Sequence, residues 1–359
     1  MTLRGRTVGL VFAHQGWGNF AFTLIYAFLL TVTGVGGCST NIAGANMTIA
    51  ANEAAFVSNC NLAGLEITWR LTYAFGVIPV LMLVFYRFRV LAETKLFTER
   101  RAKYNAAETR VERTERWNNL KIIFTNRAYL IRLIGAGGTW YLQDVAFYGN
   151  KLFQGAITAS IIGNNNSGNV SLLANAQFTA LVGFVALTGY YLASFTIDYP
   201  WMGRVRLQNI GFLLTGLFYL LCGGLYATLS TKQIPAFEFL YLAASFFQQY
   251  GPNVVTWLLP VELFPTDIRG QAQGFCAATG KTGALTAALL FTYVPVFNTN
   301  KATGGASANA ANIFWCCGAI MIAGLVLTIL AVPDVTKVNL ASLDRRFSVD
   351  RRARLVGGS

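Results

Sequence analysis

Charge is scarce in this 359-residue sequence, with Asp, Glu, Lys and Arg together making up 12% of it. With a mean hydropathy of +0.47, that scarcity excludes a soluble enzyme of this length and leaves a polytopic membrane protein. Imidazole is nearly absent, His14 being the single histidine, and none of the six cysteines stands in C-x-x-C spacing. The usual metal and haem signatures are therefore missing, and neither metal nor cofactor is expected. No nucleophile and base pair or cofactor loop can be found, so the chain is not read as an enzyme.

Acids are scarcer than bases, 15 against 28, for a formal net charge of +13. The bases gather in particular loops and at the ends. Apolar runs long enough to span a bilayer are expected over about 8–33, 68–86, 128–162, 172–197, 207–229, 237–259, 271–296 and 312–332. The 128–162 run is long and is expected to be tilted or broken near Gly149. The segment 87–127 is rich in charge and reads as a cytosolic linker, and the 333–359 tail is basic. Sequons at Asn46-Met47-Thr48, Asn165-Asn166-Ser167 and Asn169-Val170-Ser171 fall in loops poor in bases. Positive-inside bias and sequon placement agree on one topology, with both termini and the linker in the cytosol. That orientation accounts for the basic excess, so no nucleic-acid partner is expected. Cys38 and Cys60 share one polar loop and can pair if it faces an oxidising compartment; the sequence leaves that open. The other four cysteines read as packing residues.

One acid stands inside an apolar run, in Thr139-Trp140-Tyr141-Leu142-Gln143-Asp144-Val145-Ala146-Phe147-Tyr148. At the centre of a membrane helix Asp costs roughly 2.5 to 3.5 kcal/mol on insertion scales, and such a residue faces a cavity or a partner. Trp140, Asp144 and Tyr148 recur every fourth residue, which puts a carboxylate and two aromatic donors on one helical stripe. This reads as a transport or proton-handling site. A second constellation is Asp198-Tyr199-Pro200-Trp201-Met202-Gly203-Arg204-Val205-Arg206, where an Asp and an Arg between two spans can clamp neighbouring helix ends and release them when bundles rock. Its plainer reading is a tight charged turn.

Several stretches together resemble the phosphate:proton symporters of the major facilitator superfamily, known from fungi and plants. Arg4-Gly5-Arg6 through His14-Gln15-Gly16-Trp17-Gly18 looks like the start of that family's fifth helix. Trp140-x3-Asp144-x-Ala146-Phe147-Tyr148-Gly149 resembles its seventh. Gly251-Pro252-Asn253 through Pro260-Val261-Glu262-Leu263-Phe264-Pro265-Thr266-Asp267-Ile268-Arg269 resembles its tenth helix and the following loop. Gly274 and Ala277-Ala278-Thr279-Gly280-Lys281-Thr282-Gly283-Ala284 resemble its eleventh, and Pro333-Asp334-Val335-Thr336-Lys337 is similar to the P-E-T-K-G end of the superfamily.

The resemblance implies an all-α polytopic fold. It divides the chain into two helices of a first bundle (1–86), the linker (87–127), a six-helix second bundle (128–332) and the tail (333–359). It further implies proton-coupled transport of inorganic phosphate by alternating access, with phosphate, protons and the bilayer as partners and the plasma membrane as the location. Gln15, Trp140, Asp144, Tyr148 and Asn253 would line the phosphate site. Asp144 would take or release the coupled proton, and Lys281 would balance a carboxylate or the anion. Asp198, Arg204, Glu262 and Arg269 would gate the cytosolic mouth, the last two as a pair. Plainer roles stand beside these: helix-bridging hydrogen bonds for Gln15 and Asn253, packing for Trp140 and Tyr148, snorkelling for Lys281, and a merely accommodated polar side chain for His14.

The chain departs from the pattern in offering about eight spans where the family has twelve, as if it began at the loop before the fifth helix. Ala92-Glu93-Thr94-Lys95 stands where the family has P-E-T-P-R. Two helices of one bundle and six of the other are not expected to alternate alone, so a truncated form of a full transporter is expected. The alternatives are a sugar or organic-ion transporter of the same superfamily, or a non-transporting membrane receptor or partner protein.

Overall fold

The computed structural model describes residues 4–41, 60–90, 117, 121–162, 169–294, 296–297, 306–336, 342–345 and 347–349. Most of linker 87–127, the sequons at Asn46 and Asn165, and much of the 333–359 tail lie outside the described residues.

The architecture is all-α apart from one short ladder. In chain order the elements are α1 (Arg4–Val32), β1 (Ser39–Asn41), α2 (Leu62–Arg89), α3 (Arg127–Leu152), α4 (Gln154–Ile162), β2 (Asn169–Ser171), α5 (Leu172–Thr196), α6 (Gly203–Gly224), α7 (Tyr226–Lys232) and α8 (Ile234–Gln248). A π-helical turn, Gln249–Asn253, follows, then α9 (Val254–Leu263), α10 (Thr266–Tyr293) and α11 (Ala306–Ala331). Every expected span is helical. Among the described residues four helices, Leu62–Arg89, Leu172–Thr196, Gly203–Gly224 and Ala310–Ala331, are long and apolar enough to cross a membrane on length and composition alone. The other expected spans are interrupted or carry polar side chains, including those of the site below.

The expected break near Gly149 falls instead at Phe153, between α3 and α4. Three contacts hold the helix past Gly149. The Asn150 side chain donates to the Tyr219 hydroxyl and accepts from Tyr241 at 2.8 Å, and the backbone of Gly149 rests directly on the Phe291 ring.

Between membrane helices, close backbone approach replaces the hydrophobic drive available in water. Gly5, Gly9, Ala13 and Gly16 form a buried small-residue stripe on α1, and Ile197, Ser194, Tyr190 and Leu187 of the α5 region press against its glycines. Thus α1 packs chiefly on α5, while α3 packs on α10 and α11, and α6 on α11 and α8. By contrast α2 buries only Gly64, Thr68 and Thr72.

The two ends of the bundle differ in chemistry. At one end β1 and β2 pair antiparallel, Ser39 opposite Ser171, and a disulfide joins Cys38 to Cys60, so the two base-poor loops expected outside do meet. At the other end the start of α1 meets Asp198, Arg204 and Glu262. The tail docks at this end. Phe347 is buried edge-on to Tyr129, and the Asp344 carboxylate accepts from the Thr266 backbone N–H and hydroxyl at 2.7 and 2.9 Å, capping α10. Along α3 the buried core changes over at Gln143–Asp144: Trp140 belongs to the apolar cluster nearer the ion-pair end, and Val145 and Ala146 to the one nearer the disulfide end.

Candidate functional site

The changeover point holds the polar residues. Asp144 is 3% exposed, and its Oδ2 lies 3.4 Å from the Lys281 Nζ of α10. The same ammonium donates to the Tyr148 hydroxyl at 3.0 Å. Asp144 and Tyr148 of the expected stripe thus both meet the Lys281 ammonium, whose side chain is 62% exposed. The indole of Trp140 completes the surroundings of Asp144 and meets Trp257 edge-on, ring centroids 5.8 Å apart. It fits because position 280 is glycine: a Cβ there would stand 2.6 Å from Trp140 Cδ1 and 2.8 Å from its Nε1.

A second group faces this one from α5 and the π turn. Asn253 Nδ2 donates to the Tyr190 hydroxyl at 2.7 Å and to Gln249 Oε1 at 2.6 Å. Tyr190 in turn lies within electrostatic reach of Asp144 and Tyr148. The π turn contains Pro252, which has no N–H for the helical ladder, and π turns of this kind recur at functional sites. Here it sets Gln249 and Asn253 on the same side. Gln15 sits half-buried on α1, next in sequence to Gly16, whose backbone rests on Tyr190. His14 is exposed, its Nδ1 3.0 Å from the Leu10 carbonyl of its own helix.

The donor count shows what the arrangement can do. An ammonium has three protons, and Lys281 commits one to Asp144 and one to Tyr148. The Tyr148 and Tyr190 hydroxyls accept from Lys281 and Asn253, which leaves their own protons free to donate. One ammonium proton and two phenolic protons are therefore uncommitted in the neighbourhood of a carboxylate, donors of the kind that suit a tetrahedral oxyanion.

Gln143, Tyr190 and Gln249 were missed by the sequence reading. Gln143 is fully buried, with neither amide atom partnered. An uncharged amide next to an intramembrane acid was a readable signal. Tyr190, in an aromatic-rich run, carried none.

At the ion-pair end, Arg204 makes a two-pronged contact with Glu262, Nε to Oε2 at 2.8 Å and Nη2 to Oε1 at 3.0 Å. Its Nη2 also lies 2.8 Å from Asp198 Oδ1. Gly203 turns the chain at φ +67, where a Cβ would strike Thr336 Oγ1 at 2.5 Å. The expected pairing of Glu262 with Arg269 does not occur. Glu262 takes Arg204 and the Nε of Arg4 at 2.8 Å, while Arg269 Nε donates to the Phe264 carbonyl at 3.2 Å. Arg269 sits one turn into α10, beyond the Pro265 corner, whereas Arg204 and Arg4 reach Glu262 from α6 and α1.

The chain is similar in sequence to known proteins. The family model described as "Sugar (and other) transporter" matches residues 142–347. The chain is 30% identical to inorganic phosphate transporter 1-11 of Oryza sativa subsp. japonica, over 79% of this chain and 53% of that protein. It is 28% identical to inorganic phosphate transporter 1-2 of the same plant, over 98% of this chain and 69% of the relative. It is 27% identical to low affinity inorganic phosphate transporter 1 of Petunia hybrida, over 95% and 66%. The chain thus spans between about half and two thirds of the length of these relatives.

Proposed function

Because the chain belongs to the sugar (and other) transporter family of the major facilitator superfamily, we propose that this integral membrane protein carries inorganic phosphate together with protons. The observation that carries the reading is Lys281 Nζ held between Asp144 Oδ2 and the Tyr148 hydroxyl, opposite Tyr190 and Asn253. With Asp144 ionised, Lys281 is neutralised by its partner. A proton on Asp144 frees the ammonium to take an anion, so phosphate and proton load together. Tyr148, Tyr190, Trp140, Asn253 and Gln15 then bind and orient the phosphate oxygens. The names of the relatives support phosphate as the cargo.

In this reading residues 1–86 are two helices of one bundle and 128–332 a six-helix second bundle, with the charged linker and basic tail in the cytosol and the chain in the plasma membrane. Asp198, Arg204 and Glu262, joined by Arg4, latch the cytosolic mouth, and Arg269 braces the α9–α10 corner beside them. Alternating access breaks and remakes the latch.

Equilibrium binding of ³²P-phosphate to the purified chain in lipid nanodiscs tests the site. Lys281→Met is expected to weaken binding at this site by about 100-fold, roughly the 1.5 to 3 kcal/mol typical of a hydrogen bond to a charged group. Unchanged binding at the Lys281 position would contradict the reading.

A further inference from the structure

A second cation lies on the Asp144 stripe with no counter-ion among the described residues. Lys151 follows Asp144 by seven residues, two turns or about 10 Å further along α3, on the side toward the disulfide end. Its Nζ donates to Gln154 Oε1 at 3.0 Å and stands 6.0 Å from the centroid of the Phe147 ring. Neither contact neutralises it. No salt bridge among the described residues includes Lys151, and the sequence holds no Asp or Glu between Asp144 and Asp198. Glu238, on the packed helix α8, forms no salt bridge among the described residues either. A half-buried ammonium without a carboxylate is costly unless a charge of opposite sign comes to it.

The neighbouring side chains offer donors. Gln154 is 6% exposed and its Nε2 has no partner, and Thr158 is fully buried with an unpartnered Oγ1. The two are four residues apart on α4, hence on one face. Lys151 and Gln154 thus present an ammonium and an amide N–H₂ on either side of the break between α3 and α4, and Thr158 adds a hydroxyl one turn into α4. The ammonium and the unpartnered amide N–H₂ make that set complementary to an oxyanion.

We propose that Lys151, Gln154 and Thr158 form a second phosphate-binding station between the exterior mouth and the Asp144–Lys281 site. It rests on phosphate being the cargo, as argued above. An anion entering from the disulfide end meets Lys151 first, then passes two turns along the same stripe to Lys281. Both stations can be filled at once, because they share no side chain.

The test is the stoichiometry of ³²P-phosphate binding to the nanodisc-embedded chain, for the unchanged protein, Lys151→Met, Lys281→Met and Lys151→Arg. Two phosphates are expected per unchanged chain, one for each Met variant, and two again for Lys151→Arg. Stoichiometry and affinity unchanged in Lys151→Met while Lys281→Met binds less would overturn the outer station and leave the central site standing. Loss of all binding in Lys281→Met would likewise overturn it. One phosphate retained in Lys281→Met and none in Lys151→Met would uphold the outer station and remove the central one. No phosphate bound by the unchanged chain would overturn both. If Lys151→Met does not fold, Gln154→Leu replaces it, with at least a 10-fold weaker second site expected and an unchanged second site contradicting the proposal.

Discussion

Glu262 and Arg204 meet through two parallel hydrogen bonds of 2.8 and 3.0 Å, with the carboxylate side chain fully buried and the guanidinium 4% exposed. Removing one partner of a buried pair leaves the other charge uncompensated, which costs ~3 to 5 kcal/mol. Glu262→Gln leaves Arg204 with Asp198 as its remaining carboxylate, so it is expected to lower Tm of the purified protein by only part of that cost, about 3 to 5 °C. Arg4→Gln should have a much smaller effect, since Arg4 is 31% exposed and such pairs contribute ~1 kcal/mol or less. Equal shifts for the two variants would contradict this ranking.

Gly280 exists to admit the Trp140 indole. Gly280→Ala places a methyl group 2.6 Å from Trp140 Cδ1, an overlap that typically costs ~1 to 3 kcal/mol and moves the larger group. The expected result is weaker phosphate binding together with a changed tryptophan emission maximum. Gly274→Ala, where a Cβ meets nothing within 4 Å, should be silent in both measurements.

The Cys38–Cys60 bridge closes a loop with a sequence separation of 22 residues. Loops of this size contribute ~3 kcal/mol through the unfolded chain. Peptide mapping without reduction should recover the two cysteine peptides linked, and Cys38→Ser with Cys60→Ser should lower Tm with Cys222, Cys276, Cys316 and Cys317 still present as thiols. Recovery of both peptides unlinked from freshly purified protein would contradict the pairing.

Much of this molecule was legible in the sequence because apolar length and period are local properties. The helix over Leu172–Thr196 and the Trp140–Asp144–Tyr148 stripe could be read from spacing alone. Partner choice could not. The sequence allows Lys281 to balance either a carboxylate or the anion, and only the packing of α3 on α10 puts it against Asp144. Glu262 was matched to Arg269, nearby in sequence, whereas its partners come from 58 and 258 residues away. Tyr190 looked like one more aromatic in an apolar run until Asn253 was found to donate to its hydroxyl. The three-residue strands β1 and β2 are too short to carry an alternation pattern, and their pairing follows from the helices that bring the two loops together.

Proton uptake on phosphate binding, read with a pH-sensitive dye in weakly buffered solution around the nanodisc-embedded chain, tests the role of Asp144 most directly. The account predicts that Asp144→Asn takes up fewer protons per phosphate bound than the unchanged protein, because the amide can no longer load a proton beside Lys281. Equal proton uptake by Asp144→Asn and the unchanged protein would contradict Asp144 as the proton carrier.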